Sequence, residues 1–133
     1  MTRPTRSLAE LLLAATFTTP PAAASEPPTP SAGAELVELC ARCHALSVGE
    51  KARWGPDLVG VVGRPVGAEP GYSYGSYLVA RNRDGAVWDE AALRVWLVDA
   101  KAVARTGEAR TKMPTLALTD DQLDVLLPFL REL

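Results

Sequence analysis

Five consecutive residues, Cys40-Ala41-Arg42-Cys43-His44, hold the only two cysteines and the only histidine of a 133-residue chain. Two thiols at this spacing share one helical turn and can add to the two vinyl groups of a single porphyrin. The histidine that follows can bring its imidazole to the iron from the same side. Cys-x-x-Cys-His is the attachment signature of a c-type haem. A zinc site would need two more Cys or His ligands, which the sequence lacks. A thioredoxin-like pair would sit in a longer chain of alternating strands and helices. With the one histidine used, a second axial ligand must come from another residue type. Apart from Met1 the only methionine is Met113. Pro114 follows it and biases Met113 toward extended backbone, hence toward a loop that can aim the sulfur inward. Lys112, its neighbour, is the rival ligand.

Helices must position these groups, because no segment shows convincing strand alternation. The pattern predicts a first helix from about residue 34 into the cysteine motif. A second follows Trp88, where Asp89 can cap and Leu93, Trp96, Leu97 and Ala100 keep helical spacing. A third follows Thr119, which forms a capping box with Gln122, and Asp120 and Asp121 suit the positive end of the helix dipole. Behind them Leu123, Leu126, Leu127 and Leu130 recur at three- and four-residue steps. Pro128 predicts a kinked or loosened last turn. A shorter helix is expected over 74–81. Seven of the ten glycines fall within 49–75, and so long a loop in a small domain predicts backbone lying close against something flat.

Residues 1–24 read as a secretory signal peptide: Arg3 and Arg6, an apolar run over 8–17 interrupted by Glu10, then Ala22-Ala23-Ala24 before a cleavage point. The run is too short to span a bilayer, which takes about 20 apolar residues. Residues 25–32 read as a Pro-rich leader and 33–133 as one small domain whose core depends on its cofactor. Export places the mature chain in the periplasm. Without Arg3, Arg6 and Glu10 the chain keeps 12 basic and 15 acidic residues. An acidic domain without a basic stripe argues against nucleic-acid binding. Its cations still gather, at Arg81, Arg83, Arg94, Lys101, Arg105, Arg110 and Lys112. They form either a solvated helix face or a docking patch for an acidic partner.

The segment from Gly55-Pro56-Asp57 to Gly63-Arg64, then Gly71-Tyr72-Ser73-Tyr74, then Trp88, then Thr111-Lys112-Met113, closely resembles class I cytochrome c. The resemblance is to the mitochondrial-type and bacterial c2-type branch, with the motifs in family order. It implies an all-α fold of about three main helices plus long loops wrapped around one covalently bound haem c, with crossed terminal helices. It also implies that Cys40 and Cys43 carry the haem, and that His44 and Met113 are the axial ligands. Pro56 then matches the residue whose carbonyl orients the proximal imidazole. Arg64, Tyr74 and Trp88 match the side chains that hold the propionates, carboxylates that are costly to bury unpaired.

Three departures stand out. Leu36 replaces an aromatic of the first helix, the stretch 98–110 is longer, and it lacks the tyrosine that hydrogen-bonds near the methionine sulfur, with Val103 or a neighbour in that region. The implied activity is one-electron transfer rather than catalysis, between a periplasmic dehydrogenase or cytochrome complex as donor and an oxidase or reductase as acceptor. The chain would act as a monomer or as a subunit of a heteromer. A dedicated haem subunit of a dehydrogenase and a peroxidase-like haem with a labile distal ligand are the alternatives.

Overall fold

The structure is a computed structural model and describes residues 30–51 and 53–133. The expected signal peptide and residues 25–29 of the expected leader lie outside the described residues. Four helices follow one another: α1 (Pro30–Ala41), α2 (Ser76–Arg83), α3 (Glu90–Thr106) and α4 (Asp120–Glu132). Among the described residues the only extended pairing is an isolated antiparallel bridge between Pro65 and Val87. None of these helices is long and apolar enough to cross a membrane.

α1 starts four residues before the expected point, so Pro30, Ser31 and Ala32, assigned to the leader on sequence, are helical. Proline suits a first helical turn, where its missing N–H would have had no intrahelical partner. α3 begins as expected. The Asp89 carboxylate accepts the Ala92 N–H at 2.7 Å. The helix continues beyond Ala100, the last position of the expected spacing, to Thr106, with a break at Asp99 (φ −153°, ψ 85°). α4 carries the full capping box. The Gln122 N–H donates to Thr119 Oγ1, and the Thr119 N–H donates to Gln122 Oε1 at 2.9 Å. Pro128 does not end α4, which runs on to Glu132. Pro128 is exposed, so the lost intrahelical bond lies on the wet side.

The terminal helices α1 and α4 pack against each other. Gly33 permits that approach: a Cβ built there would stand 2.3 Å from the Phe129 ring and 2.7 Å from the Val125 carbonyl. Leu36, which replaces the expected aromatic, joins the main core of Leu93, Leu97, Leu123, Leu126, Leu127 and Leu130. Across the outer surface Arg94 of α3 binds Asp120 and Asp124 of α4. A second cluster, built on Val66, Leu78, Trp96 and Ala100, lies under α2 and α3. Trp88 and Met113 pack against both clusters. Residues of the connection between α1 and α2, among them Trp54, Pro56, Leu58, Arg64 and Tyr74, complete a cavity.

Candidate cofactor site

That cavity has a volume of about 280 Å³ and a largely apolar lining that includes Leu58, Val61, Leu93, Trp96 and Leu97. Its first wall is the end of α1 and the turn after it. The Cys43 and His44 N–H groups both donate to the Cys40 carbonyl, at 3.1 and 3.0 Å. This continues the helix by one turn and brings both thiols and the imidazole to the same cavity. Burial pushes the Cys40 thiol above its ordinary value.

The His44 ring is held on its far side. Nδ1–H donates to the Pro56 carbonyl at 2.6 Å, which leaves Nε2 as the lone-pair nitrogen. Burial lowers the His44 pKa, the Pro56 contact partly offsets that, and the Arg64 charge lowers it further. A neutral imidazole is the form that binds a metal. The loop is pinned to this ring through the Cys43 carbonyl, which accepts the Trp54 and Gly55 N–H groups at 3.1 and 2.8 Å. Gly55 lies directly on the imidazole: a Cβ there would meet His44 Cε1 at 2.4 Å and Nδ1 at 2.6 Å.

Arg64, Tyr74 and Trp88 line the same cavity. Backbone pairing brings two of them together. The Trp88 N–H donates to the Arg64 carbonyl at 2.9 Å, and the Gly63 N–H donates to the Trp88 carbonyl at 2.6 Å. The Arg64 guanidinium donates to the Asp57 and Val59 carbonyls at 2.5 and 3.1 Å, with the Asp57 and Glu69 carboxylates at 3.4 and 3.8 Å. Tyr74 Oη accepts the Glu69 N–H at 3.1 Å and keeps its own proton to donate. Burial raises the pKa of that hydroxyl. The Trp88 indole N–H has no partner among the described residues.

Met113 reaches the cavity from the α3–α4 connection. Its sulfur is not without a donor. The Trp96 indole Nε1–H donates to Met113 Sδ at 3.0 Å, and the Trp96 ring is stacked on Tyr77 at 5.7 Å with 12° between planes. The expectation that the missing tyrosine leaves the sulfur without such a bond is therefore corrected. Trp96 reads on sequence as one more apolar position of α3. The signal available was its chemistry, since a buried indole N–H needs an acceptor. Val103 packs in the second cluster beside Trp96 but has no polar atom to offer.

No family model matches the chain. It is 35% identical to a cytochrome c2 of Pararhodospirillum photometricum over 95 residues, which covers 68% of the chain and 84% of the relative. The class is settled by that match. The chain belongs to the class I cytochromes c, in the c2/c-550 branch. A cytochrome c-550 of Novispirillum itersonii is 33% identical over 99 residues, 71% of the chain and 89% of the relative. The ferric cytochrome c-550 structure from Paracoccus versutus superposes with a TM-score of 0.62 and 32% identity, over 77% of this chain and 94% of that one. Cytochromes of this class carry one covalent haem c, and Cys40 and Cys43 are the thiols at its attachment spacing. The residues present fit that group: paired thiols, a neutral imidazole whose second nitrogen is fixed, and a glycine cradle, on one apolar cavity.

Proposed function

We propose that the chain is an exported, periplasmic one-electron carrier, not an enzyme, in which His44 and Met113 are the two axial ligands of its haem. The observation that carries this reading is the convergence of Cys40, Cys43, His44 and a donor-supplied Met113 on one cavity. The haem supplies the ferrous/ferric couple, and thioether ligation raises its potential. The chain's own residues hold the geometry. Pro56 and Gly55 fix the His44 ring, Trp96 donates to the Met113 sulfur, and apolar side chains keep water away. With His44 and Met113 both holding the iron, the haem would supply one-electron chemistry and leave no open position for a further ligand. Tyr74 and Trp88, each with a donor to spare, and Arg64, already between carboxylates and carbonyls, are the residues we assign to the propionates.

The peroxidase-like alternative rested on a sulfur without a donor, and Trp96 removes that motive. The test is spectroscopic. The ferric holoprotein should show the weak long-wavelength band of a methionine–iron bond, and the ferrous form should exclude carbon monoxide. A missing band with ready carbon monoxide binding would overturn the closed-site reading.

For partners, we infer a redox protein with an acidic docking face. Arg64, Arg81, Arg94 and Arg131 are in ion pairs. Arg42 and Lys112, which line the cavity mouth, are in none among the described residues. Lys112 donates to the Ser73 carbonyl and sits over the Tyr72 ring at 5.8 Å. Reversing both charges should lower the bimolecular rate with such a partner about tenfold at low salt, and the difference should shrink as salt is added.

A further inference from the structure

α3 is interrupted at one residue, and that residue is wired to the loop that carries Met113. At Asp99 the backbone leaves the helical region (φ −153°, ψ 85°) while helix continues on both sides. Its Oδ1 accepts the Ala102 N–H at 2.9 Å, so the carboxylate caps the second half of α3. In an unbroken helix the Ala102 N–H would close onto the Val98 carbonyl. Here that carbonyl instead accepts the Ala117 N–H at 3.0 Å. The same Asp99 Oδ1 also accepts the Thr115 hydroxyl at 2.6 Å. The break therefore produces two attachments to the chain just after Met113. One is direct, at Thr115, and one runs through the freed Val98 carbonyl, at Ala117. Ala117 sits in the left-handed region (φ 54°), which costs an alanine about 1–2 kcal/mol. Such a conformation persists only where neighbours hold it.

We propose that Asp99 is a positioning residue for Met113: by breaking α3 and binding Thr115, it latches the distal loop so that the sulfur stays in the cavity. The proposal rests on the reading of Met113 as the second axial ligand. The hydrogen bonds from Thr115 and Ala102, with the Arg105 charge nearby, hold the Asp99 carboxyl below its ordinary value, and the latch itself needs only the acceptor oxygen. No role for Asp99 or Thr115 follows from the haem motif or from the capping pattern of the sequence. The juxtaposition exists only in the folded chain.

The experiment uses the ferric holoprotein and measures imidazole binding, which reports how readily the methionine sulfur leaves the iron. Global unfolding is followed in parallel. T115V removes one attachment and leaves the cap in place, and should tighten imidazole binding about threefold. D99A removes the cap as well and frees Ala102 to rebond to Val98, so it should tighten binding about tenfold. T115S and D99N keep hydroxyl and acceptor and should stay within about twofold of the parent. Lower unfolding midpoints with unchanged imidazole binding in T115V and D99A would overturn the latch and leave Asp99 a helix cap. Failure of T115S to restore parental binding would also overturn it. If the parent protein itself binds carbon monoxide freely in the ferrous state, the Met113 reading fails, and the latch fails with it. That outcome is separable, because it appears without any substitution.

Discussion

The wall of the cavity that carries Cys40, Cys43 and His44 is built between residues 40 and 56. The wall that carries Met113 draws on Trp96, Asp99, Thr115 and Ala117. On the first wall the thiols and the ring follow from one helical turn, and the Pro56 carbonyl is twelve residues from the ring it holds. On the second, the donor to the sulfur lies seventeen residues upstream, on another element. A locally encoded wall cannot move without unwinding its own turn. A wall assembled at a distance can loosen while the fold survives, so we expect ligand exchange and tuning to concentrate on the distal side.

Removing the local wall's chemistry should have the largest effect. Replacing Cys40 and Cys43 together with alanine should leave no haem on the chain after denaturing electrophoresis. It should also sharply lower folded content, because an apolar cavity loses the group that fills it. Haem retained on the denatured variant would contradict the attachment. Met113→Ala is next. Haem should remain attached while the ferrous form gains carbon monoxide binding, read from the Soret shift. A variant that still excludes carbon monoxide would place the second ligand elsewhere, with Lys112 the first residue to examine.

The same contrast explains what could be read without a structure. Cys40, Cys43, His44 and Pro56 lie within one stretch, and the caps at Asp89 and Thr119 are short-range patterns, so each was legible. Family order drew Arg64, Tyr74, Trp88 and Met113 to one cavity. What stayed hidden depends on partners far along the chain. Trp96 fits the helical spacing as an apolar residue, and the acceptor of its N–H lies seventeen residues away at Met113. Asp99 in the middle of an apolar-periodic segment gives no sign that the helix breaks there, because two of the donors that stabilise the break, the Thr115 hydroxyl and the Ala117 N–H, lie beyond the helix. The proline-rich stretch reads as extended chain, whereas Pro30 opens α1. Pro128 lies on the exposed side of α4, and the helix continues past it to Glu132.

A smaller perturbation tests whether the first wall is as rigid as its local construction implies. Gly55→Ala would drive a methyl group into the His44 ring, which the Pro56 carbonyl holds in place. We expect the holoprotein to lose about 1–3 kcal/mol in thermal unfolding. Gly60→Ala serves as the comparison. Its Cβ would meet nothing within 4 Å, and only its φ of +64° opposes it, at about 1–2 kcal/mol. A Gly55→Ala protein as stable as its parent would show that the ring can slide, and the two walls would then differ less than their construction suggests.

The finest test lies on the distal wall, where geometry can be kept and one proton removed. Trp96→Phe preserves an aromatic ring against Tyr77 and deletes the N–H that Met113 Sδ accepts. The sulfur then regains electron density that the indole had drawn away, donates more strongly to iron, and favours the ferric state. The midpoint potential should fall by tens of millivolts, at about 59 mV for each tenfold change in relative stability of the two oxidation states. Loss of one such bond corresponds to about 1 kcal/mol. The ferric methionine–iron band should persist, since Asp99 and Thr115 still hold the loop. The two distal devices should thus separate by readout. Trp96 would act on the electron density of the sulfur and shift the potential, whereas Asp99 would act on its position and shift ligand exchange. A Trp96→Phe protein that loses the band and keeps its potential would reverse that division, and would make the indole the restraint and the latch the lesser of the two.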